Sequence, residues 1–123
     1  MKVLLLEPGK VAREAEIDHT LESMQAVVGG LITATYPYEE LVAVVANDEG
    51  LLIGLPLNRK LNGHSIIAGT FFICGLSDDG FTDLPPDLME KFKRELYYPH
   101  EFMRMPSGMI VAFQYDPSEE QED

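Results

Sequence analysis

Short apolar blocks separated by polar turns run along most of the chain, and their periodicities predict a series of strands with two helices between them. Lys2 to Leu6 is expected to be a strand, stopped by Glu7-Pro8-Gly9 because Pro-Gly favours a tight turn. Val11 to Ile17 is polar and partly alternating, the pattern of an edge strand paired with the first. Thr20 or Asp18 caps a short helix in which Leu21, Met24, Gln25 and Val28 share one face, and Gly29-Gly30 supplies its left-handed end. Leu31 to Tyr36, with Ile32, Thr33 and Thr35, reads as a strand ended by Pro37.

Further along, Leu41 to Ala46 and Leu51 to Ile53 are expected to form a hairpin through Asn47-Asp48-Glu49-Gly50. Gly54 to Arg59 is an edge or a loop, since Pro56 removes a backbone donor. Asn62-Gly63 is a turn signal. Ser65 to Cys74 is then the most hydrophobic strand, interrupted at Gly69-Thr70 by a bulge or by the approach of a ligand. Pro85-Pro86-Asp87 opens a second helix to Tyr97 or Tyr98, with Leu88, Phe92 and Leu96 as its buried stripe and Pro99 as its stop. Met109 to Tyr115 is a last strand. About six strands and two short helices in irregular order predict an α+β domain with a mainly antiparallel sheet.

Length and charge narrow this picture. A chain of 123 residues supports one core, so residues 1–116 are taken as a single domain. Residues 117–123 carry four of the acidic side chains and no basic one, the composition of a disordered tail. No apolar run approaches the ~20 residues of a membrane span, and the N-terminal apolar stretch is too short for a signal peptide. Cys74 is the single cysteine and lies in an apolar run, the setting of a buried thiol in a reducing compartment, so a cytoplasmic location is expected. With 21 Asp+Glu against 9 Lys+Arg, a net charge of −12 disfavours binding to nucleic-acid backbones, whose affinity comes from Lys and Arg. Small ligands, basic proteins and mimicry of DNA remain open.

The chain holds no phosphate loop, dinucleotide fingerprint, nucleophile elbow or zincin motif, so catalysis is not expected. His19, His64 and His100 lack metal-ligand spacing, and neither a metal nor a cofactor is implied. The informative residues are polar ones set in apolar surroundings: Tyr36 and Tyr38, Asn47, Asn58 and Arg59, and Gly69 with Thr70. If neighbouring strands bring them to one rim, the rings would stack on a flat base. Asn amides would read donor and acceptor pairs, and Arg59 would meet a phosphate or carboxylate. Each also has a structural reading: strand-edge packing for the tyrosines, backbone-bonded turns for the asparagines, a bulge for Gly69 and a solvated charge for Arg59.

Several segments resemble one family. Val3-Leu4-Leu5-Leu6-Glu7-Pro8-Gly9, Leu21-Glu22-Ser23-Met24-Gln25 with Val28-Gly29-Gly30, and Tyr36-Pro37-Tyr38 carry the likeness in the first part of the chain. Asn47-Asp48-Glu49-Gly50, Leu55-Pro56-Leu57-Asn58-Arg59 and Ile67-Ala68-Gly69-Thr70-Phe71-Phe72-Ile73 continue it, over about residues 1 to 105. The chain is similar to number thirty-eight forty-six of the domain-of-unknown-function families, carried by bacteria, phages and conjugative elements. The resemblance implies a habitat and no activity. Small single-domain proteins of mobile elements often serve counter-defence.

Two functional expectations follow. In the first, the chain captures a nucleotide-like immune signal without turning it over. In the second, its acidic surface mimics DNA or otherwise inhibits a host defence nuclease. A homodimer through an exposed sheet edge is a further expectation.

Overall fold

The computed structural model describes residues 1–61 and 65–119. The chain passes through β1 (Lys2–Leu6), β2 (Arg13–Glu16), α1 (Leu21–Val28), β3 (Ile32–Thr35) and β4 (Val42–Asn47). It continues through β5 (Leu57–Leu61), β6 (Ser65–Ala68), β7 (Phe71–Ser77), β8 (Gly80–Thr82), α2 (Pro86–Glu95), β9 (His100–Arg104) and β10 (Ile110–Gln114). The main sheet runs β2-β1-β7-β4-β3, and β8 turns back to pair with β7. Its pairings are antiparallel, as are the separate ribbons β5-β6 and β9-β10. The architecture is α+β with a six-stranded antiparallel main sheet.

Both faces of the sheet are covered, which explains the unbroken apolar runs in its central strands. Leu4, Leu6, Val42, Val44, Phe71 and Ile73 pack against Met89, Phe92 and Leu96 of the α2 segment and Leu61 of β5. Val3, Leu5, Ala43, Val45, Phe72 and Cys74 point the other way, onto Met24 and Val28 of α1. Alternate side chains of one strand thus serve two cores, each large side chain contributing about 1.5–3 kcal/mol by leaving water. Cys74 is buried, and desolvation pushes its thiol up to about 12.

The helix ends follow local chemistry. The Thr20 side chain accepts the Ser23 N–H at 3.1 Å, and Gly29 closes α1 at φ 79° with its N–H on the Gln25 carbonyl. Pro86 and Asp87 begin α2, and Lys93 and Arg94 lie in its last turn, charges that suit the helix dipole at both ends. Its buried stripe is Met89, Phe92 and Leu96, with Leu88 only partly covered.

Two expectations are corrected. Leu51 to Ile53 is a turn region and does not pair with β4, because β4 lies between β3 and β7 and both its edges are occupied. Ser65 to Cys74 is two strands in two sheets, divided at Gly69, whose φ of 81° turns the chain out of the β5-β6 ribbon and into the main sheet. The edge or loop expected over Gly54 to Arg59 is a loop up to Pro56 and, from Leu57, the edge strand β5 of a two-stranded ribbon. The expected Asn62-Gly63 turn and the end of the expected tail, residues 120–123, lie outside the described residues.

Candidate functional site

Among the described residues three polar side chains are buried: Asn47, Asn58 and Arg59. Buried polar groups must find partners, and the partners of these three converge. The Asn58 amide donates to the Leu6 carbonyl at 2.9 Å and the Gly69 carbonyl at 2.8 Å. The Asn47 amide donates to the Val28 carbonyl at 3.2 Å, while its oxygen accepts the Glu49 N–H. Arg59 spreads its five N–H groups over the carbonyls of Leu96, Glu7, Lys10 and Tyr97 and the side-chain oxygen of Asn58. Among the described residues no carboxylate joins it. Desolvation lowers its pKa to about 10, so it remains a cation at neutral pH.

These bonds hold the walls of one cleft of about 440 Å3. Glu7, Pro8 and Lys10 form one wall, and Val27, Val28 and Gly29 a second. Leu55 and Pro56 face Gly69 and Thr70 across the remainder. Arg59 and Asn58 anchor the first wall, Asn47 anchors the end of α1, and Asn58 fixes Gly69, whose N–H also reaches the Pro56 carbonyl at 2.7 Å. A Cβ on Gly69 would lie 2.7 Å from Leu55 Cδ1, so glycine keeps the cleft open at that point. The surface offered is mostly aliphatic, with the Thr70 hydroxyl, the Lys10 ammonium and the Glu7 carboxylate as polar groups. Lys10 sits 3.8 Å from Glu7 and is largely exposed, whereas Glu7 also binds Arg13 at 3.1 Å. Exposed pairs of this kind hold a side chain by ~1 kcal/mol or less, leaving Lys10 able to turn to an anion.

The expected site residues are therefore divided. Gly69 and Thr70 line the cleft; Asn58 and Arg59 stand behind its walls with their donors used, and Asn47, bonded to the Val28 carbonyl, lines a separate cavity beside Asp48 and Glu49. Arg59 is neither a solvated charge nor a fork open to a phosphate, because all its donors are engaged and it is fully buried. Tyr36 is exposed elsewhere, and Tyr38 packs on Phe92 of α2 with ring centroids 4.6 Å apart. Burial pushes the Tyr38 phenol up to about 12. The tyrosines thus do not join the asparagines at one rim. Lys10, Val27 and Leu55 were missed; Pro8-Gly9 and Gly29-Gly30 flag the bends that bring two of their segments here, but read singly they mark only a turn and a cap.

A larger groove of about 680 Å3 lies along the exposed flank of α2, lined by Glu14, Met89, Lys93, Arg94, Tyr97 and Tyr98 among others. Its cations are paired to surface acids, Lys93 to Glu14 at 3.3 Å and Arg94 to Glu90 at 3.6 Å. It has no buried polar frame comparable to that of the first cleft.

No curated protein and no solved structure shows significant similarity to the chain. A family model described as a domain of unknown function matches residues 1–97, which take in β1 to α2 and every residue lining the framed cleft, while β9 and β10 fall beyond it. The chain belongs to that family, DUF3846.

Proposed function

We propose that the chain is a binding protein that captures a small nucleotide-like anion in the framed cleft without transforming it. The observation that carries this reading is the frame itself: each buried polar side chain among the described residues gives at least one bond to a segment that walls the cleft, Asn47 to Val28, Asn58 to Gly69, and Arg59 to Glu7 and Lys10. Such a frame fixes a concave surface in advance of binding, which lowers the ordering cost of capture. The volume falls within the ~300–1,000 Å3 range of small-molecule sites. Aliphatic side chains from Val27, Leu55 and Pro56 offer packing for a flat base, and Thr70 and Lys10 offer polar contacts for its phosphate. The uncompensated charge of Arg59, just behind the Glu7–Lys10 turn, adds positive potential without direct contact. In a phage or mobile element, capture of a nucleotide immune signal would serve counter-defence.

The acidic-mimic reading has less support. Glu7, Glu14, Glu40 and Glu90 are each engaged by a local cation, which interrupts any row of phosphate-like charges.

A thermal-shift screen of mononucleotides, cyclic oligonucleotides and ADP-ribose derivatives tests the proposal. A true ligand at about 100 times its Kd adds ~2.7 kcal/mol to folding stability. Lys10→Glu is expected to weaken that ligand by about tenfold, the equivalent of ~1.4 kcal/mol. Absence of any shift across the screen, or a shift that Lys10→Glu and Thr70→Val leave intact, rejects the cleft as the site.

A further inference from the structure

The β9-β10 ribbon lies beyond the family match and takes no part in the framed cleft. Its register pairs Met103 with Val111 and Glu101 with Phe113, and the Met105 N–H reaches the Met109 carbonyl at 2.7 Å. Residues directly opposite one another in an antiparallel pair share a face. Met103, Met105, Met109, Val111 and Phe113 therefore form one apolar face, with Glu101 as its single charge. Met103, Met105, Met109 and Phe113 are 54, 38, 63 and 50 % exposed. The opposite face leans on the body, where Gln114 donates to the Glu95 carbonyl and the His100 ring accepts the Lys60 N–H.

We propose that this face is a self-association surface and that its occupant is the same face of a second copy, related by a two-fold axis. Charge selects the partner. The chain carries −12 overall, yet residues 96–115 hold one acid, Glu101, and one base, Arg104. Two copies approaching through this ribbon bring one acid and one base each to the contact, so like-charge repulsion between them is small. Apolar faces that repeat on both copies are self-complementary, as a two-fold contact requires. Four partly exposed apolar side chains make a face smaller than the ~800 Å2 that a standard interface buries per partner, so a weak association is expected. Methionine-rich surfaces adapt in shape, which suits packing of flexible side chains across the axis.

Sedimentation equilibrium of the full chain over about 1–500 μM tests this, in ~0.05 M and ~0.5 M NaCl. The expected result is a monomer–dimer equilibrium that tightens with salt, because screening removes residual repulsion and leaves apolar contact intact. Met109→Glu and Phe113→Glu alter exposed side chains and are expected to stay folded by circular dichroism while raising the dimer Kd at least about tenfold. A monomer at every concentration and salt overturns the proposal, as does a dimer that both variants leave unchanged. A chain that stays monomeric but binds neutral phosphatidylcholine vesicles through Phe113 would assign the face to lipid and equally overturn it.

Discussion

Arg59 has five N–H donors, and five neutral oxygens meet them. Two of these, the carbonyls of Leu96 and Tyr97, lie just past the C-terminal end of α2, where the helix dipole favours a cation. This explains how a guanidinium can be buried with no carboxylate among its described partners: peptide dipoles from two segments, with the Asn58 side chain, take the place of the counter-ion. Removing it would strand those acceptors, so Arg59→Met is expected to lower stability in urea unfolding by about 3 kcal/mol or more. Arg59→Lys keeps the charge but has no planar fork, and more than half of the loss is expected to remain. A lysine variant as stable as the wild type would show that charge, not donor geometry, is what the position needs. The sequence marks Arg59 as unusual because basic residues are scarce. Whether such a residue faces water or carbonyls depends on segments far away in the chain, and no local pattern records that.

Elements differ in how much of their placement is written locally. β1, β2, α1, β3 and α2 sit where apolar period and capping residues place them, since each is defined by its own stretch of chain. The misplaced segments are those whose fate depends on a neighbour. Leu51, Leu52 and Ile53 have strand-like side chains, but β4, their expected partner, has no free edge, and they stay exposed. Gly69 was legible as an interruption, yet only the register of β6 and β7 shows that it separates two sheets. β9 went unseen because His100-Glu101-Phe102-Met103-Arg104 has no β-branched residue, and its strand form comes from pairing with β10. The cleft was half legible: its glycines and Thr70 stood out, while its walls are assembled from segments brought together by the fold.

At the junction of β5 with β9, His100 Nδ1 accepts the Lys60 N–H at 3.0 Å, so the ring carries its proton on Nε2, which has no partner among the described residues. Desolvation and the nearby Arg59 charge lower its pKa below the usual 6.5. The unfolded chain therefore takes up a proton first as pH falls, and stability is lost from about pH 6.5 downward until the folded ring titrates. The variant His100→Asn preserves an acceptor for Lys60 without a titrating ring. Thermal unfolding between about pH 7.5 and 5.5 is expected to show a steeper loss for the wild type than for this variant. Parallel slopes would remove His100 as the cause.

For the whole molecule, 21 acidic side chains against 9 basic ones surround cores that carry the stability. Self-repulsion of this size works against the compact state. Raising NaCl from about 0.02 to 0.3 M is expected to raise Tm by several degrees at low micromolar protein, because the screening length contracts to less than the spacing of most surface charges. A fall in Tm with salt would mean that the surface ion pairs, including Lys91 with Glu40, outweigh the repulsion.

The strand order also sets a timetable. β1 lies between β2 and β7, with Leu4 opposite Glu14 on one side and Ile73 on the other. During synthesis, at ~5–20 residues per second, the first partner emerges almost at once and the second only after several seconds. Through that interval Val3 to Leu6 have their near neighbour in hand but neither of their cores complete. β1 is thus made well before it is sealed, and the nascent chain must shelter it until Phe71 to Ile73 arrive.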